Sequence, residues 1–128
     1  MKRCDFIECK GVRIFYIDFS NLKNIEEIKA VINESKNFIR SQPPKSMINL
    51  ANIEGMHFNG EIKELFVEYV KGNANHVFQS AIIGVDGLRR IVFNGVLKMT
   101  GRDVRCLESK QAAMDWLAER KLASLPLA

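Results

Sequence analysis

The sequence predicts an α/β domain: a mixed, mostly parallel sheet of about five strands, with an N-terminal hairpin and about four helices. Two observations carry this. Short runs rich in β-branched and aromatic residues (4–9, 12–19, 46–51, 77–83 and 104–107) alternate with longer stretches of helical periodicity. Only the first two runs are joined by a turn; every later pair is separated by a helical stretch, giving the order β-β-α-β-α-β-α-β-α. Strands joined through helices run parallel, and a two-residue turn makes its strands antiparallel.

Lys10-Gly11 is the hairpin signal between the first two runs. Asn24 caps the first helix, about 25–40, with Glu27 three residues on in a capping-box arrangement. Ile25, Ile28, Val31, Ile32, Phe38 and Ile39 share its apolar face; Lys29, Asn33, Lys36 and Arg40 lie opposite. Pro43-Pro44 follows, and the residue before a proline avoids the helical region. The run 46–51 is short and mostly apolar, which predicts a strand covered on both faces and therefore central.

In the second helix, Ile62, Leu65, Phe66, Tyr69 and Val70 recur at i, i+3, i+4, i+7 and i+8, and Lys71-Gly72-Asn73 stops it. The third helix, about 87–100, ends at Gly101; Ser109 caps the fourth, which carries Ala113, Trp116 and Leu117, with Trp116 expected in the core. The pattern ends the domain near residue 120 and leaves 121–128 as a loosely held tail.

A chain of 128 residues suits one domain with a real core. Its 19 basic and 15 acidic residues give a net charge of +4, scattered along the chain, which favours solubility and gives no footprint for nucleic acid. Cys4, Cys9 and Cys106 are an odd set without CxxC spacing; they argue against a disulfide framework or a cysteine zinc site and for a reducing cytoplasm. The N-terminus has no apolar signal-peptide core, and no apolar run approaches membrane-spanning length.

Several segments in this order resemble the STAS superfamily, named for sulfate transporters and anti-sigma-factor antagonists: YIDFSNL (16–22), RSQPPKS (40–46), GMHFN (55–59), IIGVDGL (82–88), LKMTGRDV (97–104) and AAMDWL (112–117). The branch they are most similar to is the SpoIIAA-like (STAS-like, STAS/SEC14) family of small stand-alone bacterial domains, and the likeness covers about residues 3–120. The resemblance implies a STAS-like fold and a regulatory role. In phosphorylated members of the superfamily, the loop before the second helix carries an Asp-Ser pair. A partner kinase phosphorylates the serine, adding roughly two negative charges at the docking surface. The corresponding positions here are His57, Phe58 and Asn59. No Ser or Thr stands between Met47 and Gln79, so the serine switch is missing at the residue it needs.

Read from the residues themselves, Asn59 is an N-cap for the second helix and Glu61 complements its positive end; His57 is an ordinary loop histidine, with a general base or phospho-acceptor as the alternative. A second strand–turn–helix junction, Gly84 to Arg90, has two readings. Asp86 caps the third helix, or Gly87, Arg89 and Arg90 hold an anion at its N-terminus. Helical projection puts Leu88, Ile91, Val92, Gly95, Val96 and Met99 on the face toward the sheet. Phe93 and Leu97 fall outside it, flanked by Arg90. Either the final helix or tail covers that pair, or Arg90, Phe93 and Leu97 form a contact surface for a second copy or another protein.

No nucleophile, base and orienting group come together, and the two histidines lack metal-site spacing, so neither catalytic residues, metal nor cofactor are expected. The expectation is a non-enzymatic cytoplasmic STAS-like regulatory or protein-interaction domain. The alternative is a small-ligand, lipid or anion-binding module of the same fold, using loop 54–60, junction 84–90 or an apolar pocket beneath a helix.

Overall fold

The computed structural model describes residues 2–101 and 104–125, apart from the side chains of Leu88, Arg89, Val92, Met99 and Thr100. Five strands form one sheet in sequential order: β1 (Cys4–Cys9), β2 (Val12–Asp18), β3 (Met47–Asn52), β4 (Val77–Ile83) and β5 (Val104–Leu107). β1 pairs antiparallel with β2, and the other pairings are parallel. The helices are α1 (Ile25–Ile39), α2 (Gly60–Asn73), α3 (Gly87–Thr100) and α4 (Lys110–Ala123). The fold is the expected one, a mixed α/β sheet with an N-terminal hairpin and four helices. The hairpin turns where Lys10 and Gly11 take φ of 53° and 79°, the left-handed pair that matches strand twist.

The order of strands decides where the helices go. Parallel strands laid down side by side, each joined by a right-handed crossover, put every connecting helix on the same face. Residues of α1, α2 and α3 accordingly share one apolar cluster with that face of the sheet. The opposite face is left to α4, where Ala113, Leu117 and Ala118 cover Ile14, Ile48, Leu50, Ala81 and Ile83. The two alanines let its backbone lie close to the strands. β3 is central and buried through Met47–Leu50, as its mostly apolar sequence requires, with Asn49 the polar exception.

The larger core is built on aromatic rings. Phe66 of α2 lies 5.2 Å from Phe19, 6.0 Å from Phe58 and 6.3 Å from Phe93, centroid to centroid. Phe93 is 2% exposed, which corrects the reading of Phe93 and Leu97 as a contact pair; Leu97 is partly buried against the same core. α3 leans on α2, so the face it buries is rotated from the one predicted for a helix lying on the sheet. Ile91, assigned to the buried face, is instead 69% exposed.

Three further side chains sit otherwise than predicted. Phe38 is 37% exposed and covers the rings of Phe6 and Phe15 at the sheet edge. Trp116 is half-buried, with the guanidinium carbons of Arg105 and Arg120 at 5.2 and 5.9 Å from its ring, while Leu117 takes the core position. Arg40, placed on the polar face of α1, reaches across to the end of α2. Its Nε donates to Asn73 Oδ1 at 3.0 Å, and Nη2 donates to the backbone carbonyls of Glu68 and Tyr69. α4 runs through Ala123, three residues past the point where the sequence pattern stops.

Two glycines predict opposite outcomes. Gly84 has φ of +85°, and a Cβ there would sit 2.3 Å from the backbone N of Glu54; at Gly95, inside α3, a Cβ would meet nothing within 4 Å. Gly84→Ala is expected to lower stability by at least about 2 kcal/mol, from left-handed strain and the backbone clash together. Gly95→Ala is expected to raise it by about 0.5–1 kcal/mol through helix propensity. Urea unfolding of both variants beside the wild type checks the signs.

Candidate functional site

The C-terminal ends of the parallel strands form a rim of three interlocked loops. The Phe19 N–H donates to the Asn52 carbonyl at 2.8 Å, Asn21 N–H to the Glu54 carbonyl at 2.8 Å, and His57 N–H to the Leu22 carbonyl at 2.9 Å. Ile53 N–H donates to the Ile83 carbonyl at 3.0 Å, tying in the junction after β4. Glycines permit the close approach: Gly84 abuts the Glu54 backbone and Gly55, at φ +70°, abuts the Asn21 side chain. Lys23 Nζ also donates to the Gly55 carbonyl.

Within loop 54–60, Ile53 and Met56 are buried anchors, while Glu54, His57, Asn59, Gly60 and Glu61 are exposed. Asn59 caps α2 as predicted, its Oδ1 accepting from Ile62 N–H at 2.9 Å. His57 Nε2 lies 3.4 Å from Asn59 Nδ2. Phe58, half-buried, stacks over Phe66, so the loop is pinned at its middle and open at its flanks. The three residues at the switch position therefore divide into an exposed histidine, an apolar anchor and a helix cap.

The second junction differs from expectation. Asp86 occupies the N-cap position of α3 with extended backbone, but its side chain makes no capping bond, so the first-turn donors are not taken by it. Gly87 has φ of +43° and Arg90 is exposed; the Arg89 side chain, the third member of the predicted anion site, lies outside the described residues.

Between the β4–α3 and β5–α4 junctions lies a crevice of about 550 Å³ that reaches Glu54. Its position follows from topology. α3 leaves β4 toward one face and α4 leaves β5 toward the other, and diverging connections open a gap beyond the strand ends where open α/β sheets take ligands. The lining includes Tyr16, Asn52, Glu54, Asp86, Arg90 and Lys110. Asn52 Nδ2 donates to the Tyr16 hydroxyl at 2.9 Å, and Lys110 Nζ sits 4.3 Å from the Tyr16 ring centroid. Because the hydroxyl accepts from Asn52, its own proton remains available as a donor. Burial pushes the Tyr16 phenol up, partly offset by the Asn52 hydrogen bond. Two segments far apart in sequence, 54–60 and 84–90, thus meet in one cleft. The sequence reading missed Tyr16, Asn52 and Lys110, since each is an unremarkable strand or first-turn residue until the strands are aligned.

The thiols are poor nucleophiles. Burial, with Glu34 nearby, pushes Cys4 up to about 12. Burial and the Asp115 carboxylate raise Cys9, and burial raises Cys106 despite Arg90. Among the described residues, no three His, Cys, Asp or Glu side chains are grouped to hold a metal, and no helix is long and apolar enough to cross a membrane.

No family model matches the chain, and no curated protein matches it. Among solved structures it is similar to the crystal structure of an uncharacterized DUF3478-family protein with a SpoIIAA-like fold from Shewanella loihica PV-4. The two share 14% identity at a TM-score of 0.67, over 89% of this chain and 91% of that one. The chain therefore has a SpoIIAA-like fold, as the order of its motifs implied. At that identity the likeness speaks for the fold.

Asn59→Ala is expected to cost about 1 kcal/mol of stability through the lost cap, and Asn59→Asp to cost much less; urea midpoints at pH 7 separate them. Alkaline pH should act through Cys4 and the buried Tyr69, whose phenol is also pushed up by burial. Both are acids that the fold holds neutral. The unfolded chain ionises first, so stability is unaffected below about pH 9 and falls as pH rises from there toward the folded values. Urea midpoints at pH 8 and pH 10.5 check this, and Cys4→Ala is expected to shrink the difference.

Proposed function

We propose that the protein is a non-enzymatic regulatory module that works by docking a protein partner, or a second copy of itself, on the loop 54–60 and the start of α2. One observation carries this reading. The loop's backbone is fixed by hydrogen bonds to the β2–α1 loop and by the buried Met56, yet Glu54, His57, Asn59 and Glu61 all face solvent. A surface held in one conformation before binding loses little entropy on docking. The SpoIIAA-like fold supports the same position, because in the phosphorylated members this loop is the switch. With no Ser or Thr between Met47 and Gln79, partner choice here rests on the charge and shape of the loop and involves no serine phosphorylation within it. The raised thiols and the lack of an acidic partner for His57 among the described residues favour binding over chemistry. The unpaired cysteines suit a cytoplasmic setting.

A second reading, a small-ligand module, is favoured by the crevice, whose 550 Å³ falls in the range of ligand sites. The Tyr16 hydroxyl, Arg90 and Lys110 supply its donors, and Glu54 and Asp86 supply its acceptors. Such a ligand would raise the melting temperature of the wild type, and Asn52→Ala with Tyr16→Phe would remove the rise.

A photo-crosslinking residue placed at His57 tests the docking reading against one placed at Asn33, exposed on α1. Position 57 is expected to give a discrete protein adduct in cells that position 33 does not. A self-adduct identifies a second copy. Equal yields at the two positions overturn the assignment.

A further inference from the structure

A cavity of about 60 Å³ lies away from the rim, between the sheet and the helix layer. Asn49, Ser80 and Ile82 floor it; Phe66 and Val70 of α2 and Phe93 of α3 roof it. Asn49 stands in the middle of the central strand, on the same face as the core residue Met47. It is 6% exposed, and its Oδ1 has no hydrogen-bond partner among the described residues. Buried amide oxygens are nearly always satisfied, so an orphan beside a cavity signals a missing donor. No charged side chain lines the space among the described residues, which disfavours an ionic occupant. α3 forms part of the roof and packs on α2.

We propose that this cavity is a binding site for a compact, uncharged molecule whose apolar body carries one O–H or N–H group. The donor bonds to Asn49 Oδ1, and α3 moves outward to admit the body. As it stands, the space measures about 60 Å³, whereas an apolar cavity that takes benzene measures roughly 150 Å³. A ring therefore enters only with that movement. The site is separate from the rim and does not depend on the docking reading.

Phenol and toluene test the inference on the full chain, because they share a shape and differ in a hydroxyl for a methyl. Phenol at millimolar concentration is expected to raise the melting temperature and to shift amide resonances of β3 and α3. It should bind about tenfold more tightly than toluene, the factor for one buried hydrogen bond. Asn49→Leu, similar in volume, is expected to reverse that preference. A wild-type crystal soaked in phenol should place the hydroxyl within hydrogen-bond distance of Asn49, and it decides the matter if Asn49→Leu does not fold. Ordered water alone on Asn49, with no rise in melting temperature, overturns the proposal. So does a phenol effect that Asn49→Leu leaves unchanged.

Discussion

Four parallel strands laid side by side in chain order constrain everything else in this domain. Right-handed crossovers commit α1, α2 and α3 to one face, and the other face stays open until α4 folds back over it. The small residues of α4 and the double burial of β3 are consequences of that sequence of events. So is the crevice, since the last two connections must diverge.

The rim shows how a loop becomes a presented surface. Backbone bonds from Asn21 and His57, and the absence of a Cβ at Gly84 and Gly55, draw three loops into contact. The rigidity lies in the main chain, and the side chains of Glu54, His57, Asn59 and Glu61 project into solvent. The exposed side chains at the rim include Glu54, His57 and Glu61, and the thiols lie deeper, where burial pushes their pKa up. The likeness to a SpoIIAA-like structure speaks for the fold that brings these loops together.

Much of the architecture was legible from local rules. The Lys10-Gly11 turn, the Asn24, Asn59 and Ser109 caps and the Gly101 stop are all seen, because each depends only on residues within one turn of the chain. The failures share a cause as well. Phe93, Ile91, Phe38 and Trp116 were assigned by periodicity, which says which residues share a face but not which neighbour that face meets. α3 meets α2, and the assignment rotated with it. At Asp86, residue type favoured a cap that the side chain does not make.

The sequence by itself determined the fold class, the element order, most helix starts and stops and the missing serine in loop 54–60, because these follow from short-range sterics, hydrogen-bonding residues and chain order. Only the tertiary structure decided that Glu54 and the 84–90 junction share one crevice, that Tyr16, Asn52 and Lys110 line it, and that Asn49 is left without a donor. Those facts depend on strand register and on how helices lean against one another. Both are set by packing between segments tens of residues apart, which no local pattern encodes.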